Sequence, residues 1–236
     1  MSANLSSPRA TDAIVASRFR ITPRLLDRAD QVIVLGLWIF LVIRTLRVSF
    51  GTLDVDQIAK HVGDGRLSLN YGWLAVMSEA VMVVFVLCHR PTEKVSQRLG
   101  DWCLAITATA APLLIQPNHE TTAFAALGLM LFAVGNLAQF IGKLSLRRSF
   151  GIVPANRGIK TDGVYRFVRH PIYAGYLVLH IGLFILIPSF YNLAVYAVAW
   201  TIQIMRMQAE EALLSQDPAY VAFKQRTRYR LIPGIY

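Results

Sequence analysis

The sequence predicts an all-α integral membrane protein with about six transmembrane helices and a polar pocket at the cytoplasmic face, built from the C-terminal half. Three observations predict it. The 236 residues are 55% hydrophobic and only 16% charged, with a positive mean hydropathy, a balance rare in soluble domains. Six apolar runs, each bounded by polar or Pro/Gly-bearing segments, follow one another along the chain. With the N-terminus cytoplasmic, 20 of the 24 Lys and Arg residues fall on the cytoplasmic side, as the positive-inside rule requires. Only Arg44, Arg47, Lys60 and Arg66 fall on the far side. The net charge of +10 is therefore topological, and it gives no reason to expect nucleic acid as a partner.

Three regions result: residues 1–30 as a cytoplasmic tail, 31–142 as a four-helix transmembrane region, and 143–236 as a region holding a helical hairpin and a C-terminal flap. The tail carries Pro8 and Pro23 and has no signal-peptide pattern. Ile14 to Leu26 can lie on the membrane surface as a short helix. Val32–Val48 is the first span, with Arg44 and Arg47 near enough to its end to reach headgroups. Ser49–Asn70 reads as a loop. Tyr71–Cys88 and Trp102–Ile115 are the second and third spans, and Gln116–Glu120 is a tight polar turn. Thr122–Gly142 is the fourth, where Gly128, Gly135 and Gly142 permit close approach of a helix or a ligand, and Asn136 and Gln139 are expected to hydrogen-bond between helices. Ile172–Ile187 and Tyr191–Met207 form a hairpin turned at Pro188-Ser189-Phe190, and a helix ending near Arg226 leads into the last residues. Cys88 and Cys103 have no metal or disulfide spacing and are read as buried small hydrophobes.

The stretch G-I-K-T-D-G-V-Y-R-F-V-R-H-P-I-Y-A-G, Gly158 to Gly175, stands out as basic, aromatic and glycine-bearing beside an apolar hairpin. Pro171 suits the first turn of the fifth span, and helical spacing puts His170 and Tyr173 on one face of its start. Free N–H groups there favour an anion. The plainer reading makes Arg169 and His170 phosphate-contacting interfacial residues and Tyr173 a belt aromatic. Arg206 and Glu210, four apart at the cytoplasmic end of the sixth span, are either a helix ion pair or site residues; Glu211 reads as a solvated neighbour. Glu79, in mid-span, is either structural glue or a substrate contact. The aromatic and basic residues from Tyr220 to Tyr236 form either a surface helix with snorkelling arginines or a flap over the site. There is no G-x-G-x-x-G after a strand, no P-loop, no H-E-x-x-H, no G-x-S-x-G and no cysteine–histidine metal spacing. A Rossmann-bound nucleotide and a metal are therefore not expected.

G-V-Y-R-F-V-R-H-P-I-Y-A-G, the short hairpin, R-M-Q-A-E-E and the aromatic-basic tail together resemble the isoprenylcysteine carboxyl methyltransferase family over about Gly135 to Tyr236. The resemblance implies a membrane methyltransferase that uses S-adenosyl-L-methionine without a Rossmann domain, with 143–236 as its catalytic region. It implies that Tyr165, His170, Pro171, Ile172 and Tyr173 line the cofactor pocket, that Glu210 holds the cofactor, and that Arg206 faces the substrate as the catalytic residue. Arg157, Gly158, Ile159 and Lys160 match a cofactor-contacting segment. Eukaryotic members carry a His-Thr-Leu-Val type of sequence there, so these four would act through backbone groups. The implied acceptor is a lipophilic small molecule or lipid-modified substrate, with membrane lipids as the surrounding partners and no metal or nucleic acid. The competing resemblance is to membrane sterol and steroid reductases that bind NADPH, through the Arg-His-x-x-Tyr corner and Tyr229-Arg-Leu-Ile-Pro233. Their acidic-then-cysteine pattern after the hairpin is missing here. A non-catalytic membrane protein is the remaining alternative.

Overall fold

The structure is a computed structural model that describes residues 22–50, 71–116 and 123–236. Seven α-helices are seen among them: α1 (Pro23–Phe50), α2 (Tyr71–Leu87), α3 (Leu99–Ala110), α4 (Ala125–Leu146), α5 (Pro171–Leu186), α6 (Phe190–Leu214) and α7 (Pro218–Arg226). Short 3-10 turns extend α3 over Ala111–Leu114, follow α4 at Arg147–Ser149 and form Gly163–Arg166. The loop expected over Ser49–Asn70, most of the surface helix expected from Ile14 and most of the Gln116–Glu120 turn lie outside the described residues.

Two of the helical stretches, Pro23–Ser49 and Ala125–Ser149, are long and apolar enough to cross a membrane, and Leu99–Leu114 and Pro171–Leu186 are shorter apolar helices. Val32, Phe40, Val84, Leu129 and Val198 stand on the outside with at least half of their surface exposed. So wide an apolar exterior suits lipid rather than water. Cys88 and Cys103 are on that exterior too, not buried as expected; thiols in a lipid-facing wall need no protein cover.

The centre of the bundle is the antiparallel pair α4–α5, the most extensive helix contact. Glycines recur every seventh residue at Gly128, Gly135 and Gly142 of α4 and at Gly175 and Gly182 of α5. Their missing side chains let the two backbones touch. A Cβ at Gly135 would stand 2.4 Å from the Leu179 nitrogen, and one at Gly175 would stand 2.5 Å from the Gln139 nitrogen. Close helix packing is thus the use of these glycines. Asn136, Gln139 and Lys143 form a ladder along α4, ending in a 2.8 Å bond from Lys143 Nζ to Gln139 Oε1.

α1 packs on α2, and α3 on α6. Val34, Val86, Trp102, Phe150 and Ile152 unite α1, α2, α3 and the loop after α4 in one apolar core. That loop is pinned by an isolated antiparallel bridge between Val95 and Ala155. It is pinned further by a buried polar cluster: Arg157 Nη2 donates to Asp27 Oδ1 at 2.7 Å and to Asp30 Oδ2 at 3.3 Å, and the Val153 amide donates to Asp30 Oδ1. His89 Nε2 lies 3.0 Å from Asp27 Oδ2. Burial pushes the His89 imidazole below its ordinary value, with the Arg157 charge adding to the effect and Asp27 opposing it. Arg44 does not extend to a headgroup; its guanidinium turns inward to the carbonyls of Leu113 and Ile115 at the end of the α3 extension. Those carbonyls lack helical partners, which is why a cation is useful there.

Candidate active site

α5 begins where its sequence says it should. His170 is the residue before the first turn, Pro171 occupies that turn, and the backbone nitrogens of Arg169 and His170, which precede it, bond at 2.9 Å to the carbonyls of Tyr229 and Arg230. The last residues of the chain therefore lie along the start of α5, and Leu231 packs with Tyr173 and Met207 in a small apolar cluster.

Glu211 ties this corner together. Its Oε1 accepts from Arg169 Nε at 2.7 Å and lies 3.1 Å from His170 Nε2, and its Oε2 accepts from Arg230 Nε and Nη2 at 3.1 and 3.0 Å. Only 3% of the residue is exposed. The expectation of a solvated neighbour was wrong: adjacent residues on a helix point about 100° apart, and here the second glutamate faces the basic corner. Arg169 also donates from Nη1 to the Thr227 and Arg228 carbonyls, so its Nε and Nη1 are engaged in structure. The tail is neither a surface helix nor loose. α7 ends at Arg226, and the residues after it are strapped to α5 through Glu211 and the two backbone bonds.

Glu210 points elsewhere, into a cavity of about 460 Å³. Its Oε2 accepts from Tyr173 Oη at 3.1 Å, and the ion pairs among the described residues include none to Glu210. The helix ion pair between Arg206 and Glu210 is accordingly not formed. Arg206 Nη2 donates instead to the Ile152 carbonyl at 2.6 Å, its guanidinium carbon lies 5.6 Å from the Tyr173 ring centre, and its buried Nε has no partner. His170 and Tyr173 meet edge to face at 5.5 Å. Tyr165 is buried with Tyr220 and Phe223 of α7, and burial, with the Glu210 charge second, raises its hydroxyl well above the usual tyrosine value.

Of the residues expected in the pocket, Arg157, Gly158, Ile159, Lys160, Tyr165, His170, Ile172, Tyr173, Arg206 and Glu210 all line this cavity. Pro171 does not line it; it caps α5 beside it. The Arg157 side chain is held through Nη2 by Asp27 and Asp30, and the carbonyl of this residue accepts from Ser149 Oγ at 3.0 Å. Gly158 adopts φ +102°, a conformation that glycine takes without strain, and the nearest atom to a Cβ added there would be Ser149 Oγ at 3.9 Å. The sequence alone did not find Asp27, Asp30 or Glu211 as supports of the site. The spacing Asp27–Asp30, three apart on one helical face just before an apolar run, was the available signal for the first two.

The cavity does not stop at this polar end. Along α5 its wall continues through Tyr176, Leu179, His180 and Leu183 to Ile187, and along α6 through Gln203 to Trp200 and Ala199. Tyr173 to Ile187 is a helical rise of about 21 Å. Leu37, Trp38 and Leu41 of α1 and Met82 of α2 close the apolar side. Polar and ionisable groups at one end and an apolar chamber behind them define a ligand site of the kind that takes an amphipathic molecule.

Comparison with known proteins adds a family likeness over part of the chain. Residues 128–216 match the family described as the isoprenylcysteine carboxyl methyltransferase (ICMT) family. The chain is also similar to protein-S-isoprenylcysteine O-methyltransferase A of Arabidopsis thaliana, 30% identical over 95 residues, which is 38% of this chain and 48% of that protein. The match thus spans about half the length of that relative. A solved structure of the eukaryotic intramembrane Ras methyltransferase ICMT superposes with a TM-score of 0.45 at 16% identity, covering 87% of this chain and 98% of that one. The family match over residues 128–216 bears out the resemblance read from the Arg169-His170-Pro171 corner from α4 to the end of α6.

Proposed function

We propose that this protein is a multi-pass membrane methyltransferase that moves a methyl group from S-adenosyl-L-methionine to the carboxylate of a lipophilic, prenylcysteine-like acceptor at the cytoplasmic face, with both termini cytoplasmic. The observation that carries this reading is the continuity of the cavity: Glu210, Tyr173 and Tyr165 at one end, Arg206 at the junction, and an apolar chamber beyond.

The residues present fit the cofactor. Glu210 makes no ion pair among the described residues and is set among tyrosines, and so suits a ligand that brings hydroxyls and positive charge. The open backbone at Gly158 gives a second point of close approach. S-adenosyl-L-methionine supplies an electrophilic methyl on a positively charged sulfur, and Tyr165, His170, Ile172, Tyr173, Glu210 and the backbone of 157–160 would hold it.

Arg206 orients the acceptor. Nη2 of its guanidinium is bonded to the Ile152 carbonyl and its Nε has no partner, which leaves N–H groups of the guanidinium for a carboxylate. A carboxylate is already ionised at neutral pH, so no general base is needed. Esterification removes the acceptor's negative charge, and a site walled by Leu41, Met82 and Leu179 favours that loss by excluding water. The remaining demand is in-line positioning, which a fixed arginine and a fixed cofactor wall meet.

Ligand-induced heat stabilisation of the purified protein tests this reading. S-adenosylmethionine or its demethylated product raises the melting temperature, NADPH does not, Glu210→Ala abolishes the shift, and Arg206→Ala keeps the shift but loses methyl transfer from radiolabelled donor. Stabilisation by NADPH alone would overturn the proposal in favour of a reductase.

A further inference from the structure

Asp30 of α1 is fully enclosed and does not itself line the cavity, yet its two oxygens serve two different walls of it. Oδ2 accepts from Arg157 Nη2 at 3.3 Å, and the same nitrogen donates to Asp27 Oδ1 at 2.7 Å. Arg157 opens the segment 157–160 at the polar end of the cavity. Oδ1 accepts from the Val153 amide at 3.3 Å. The residue before that amide, Ile152, presents the carbonyl that takes Arg206 Nη2 at 2.6 Å. One carboxylate on α1 therefore stands behind both the segment assigned to the cofactor and the arginine assigned to the acceptor.

The two arms are packed against each other. A Cβ at Gly151 would lie 2.7 Å from Arg157 Cζ and 3.0 Å from Asp30 Oδ2, so the chain leading to Ile152 runs directly over the ion pair. Asp27 is braced in turn, with its Oδ2 3.0 Å from His89 Nε2 just past the end of α2. The clamp is thus anchored on α1 and α2, while what it holds belongs to the loop after α4 and, through Ile152, to α6. Stability alone gives little reason for such a cluster, because apolar side chains of the same volume fill a buried site as well as an ion pair does. They would not fix the Val153 amide or aim a guanidinium.

We infer that Asp30 is a positioning residue for the reaction. Through Val153 and the Ile152 carbonyl it aims Arg206 at the acceptor, and through Arg157, together with Asp27, it sets the segment 157–160 against the cofactor. This rests on the methyltransferase reading. Three variants of the detergent-solubilised full chain separate the two arms. The readouts are the Kd for S-adenosyl-L-homocysteine by titration calorimetry, which needs no turnover, and kcat at saturating cofactor with N-acetyl-S-farnesylcysteine. Asp27→Asn weakens the Arg157 arm alone: Kd rises about fivefold, the scale of one lost bond to a charged group, and kcat stays within about twofold. Asp30→Asn keeps an oxygen for the Val153 amide and loses the charge facing Arg157, so it shows the same pattern. Asp30→Ala removes both arms: Kd rises likewise, and kcat falls about tenfold or more, since about 1 Å of misplacement costs roughly a hundredfold. Where Asp30→Ala shows no cooperative melting, the two asparagine variants decide by their Kd. Native Kd values in both asparagine variants, a native kcat in Asp30→Ala, or an equal loss of kcat in Asp30→Asn and Asp30→Ala overturns this inference and leaves the methyltransferase reading intact. A native protein that neither binds S-adenosyl-L-homocysteine nor methylates the acceptor overturns both.

Discussion

Replacing Gly135 by alanine puts a methyl group where α5 already has its backbone. The new Cβ would lie 2.4 Å from the Leu179 nitrogen, 2.7 Å from the Leu179 Cα and 2.7 Å from the Gly175 carbonyl oxygen. None of these atoms belongs to a side chain that can rotate away, so relief requires the two helices to separate by roughly 1 Å along a seam packed at van der Waals contact. Overpacking of this kind costs about 1–3 kcal/mol, and a backbone neighbour puts the substitution at the upper end. With roughly 2–4 °C per kcal/mol for a chain of this size, a loss of about 3 kcal/mol lowers the melting temperature by about 6–12 °C. Gly36→Ala is the control: nothing lies within 4 Å of its added Cβ, and in a helix alanine is favoured over glycine by about 1 kcal/mol. Both variants are measured by thermal unfolding in detergent, followed by tryptophan fluorescence. A Gly135→Ala protein that melts within about 1 °C of the native one would refute the close-packed seam.

Other changes test the supports of the site. Glu211→Ala leaves the buried Arg169 and the Arg230 guanidinium without their acceptor; breaking a buried pair in this way costs about 3–5 kcal/mol, and trypsin then cuts at Arg226, Arg228 and Arg230 faster than in the native protein. Arg157→Met leaves Asp27 and Asp30 uncompensated and lowers the melting temperature by a comparable amount, whereas Gly158→Ala chiefly weakens cofactor binding through its positive φ. His89 is held neutral by burial, its folded value lying below the unfolded one of about 6.5. Its contribution is therefore complete above that value and declines as pH falls below it; melting scans from pH 7.5 to 5 follow the loss, and His89→Gln flattens it.

The hairpin, the α5 start at Pro171 and the C-terminal helix ending at Arg226 were legible because each has a local cause: an apolar run, a proline at the first turn, a polar stop. The clustering of Tyr165, Tyr173, Arg206 and Glu210 on one cavity was legible only as a family pattern, since the meeting of α5 with α6 depends on long-range packing. Glu211 was misread because two adjacent glutamates look alike until the basic groups across from one of them are known. The inward turn of Arg44 had no sequence signal, because the carbonyls that hold it belong to Leu113 and Ile115, far along the chain. Cys88 and Cys103 were misplaced by a rule for water-soluble cores, in which an apolar side chain has to be covered.

The backbone seam between α4 and α5 also divides the bundle by stiffness. Gly135 against Leu179 and Gly175 against Gln139 leave no slack, so these two helices move as one beam, and that beam carries Tyr173, Tyr176 and Lys143. α5 and α6, although consecutive, touch only sparsely and have the cavity between them. Any breathing that admits a lipid from the side is therefore borne by α6 and α1, and the beam keeps its register while they move.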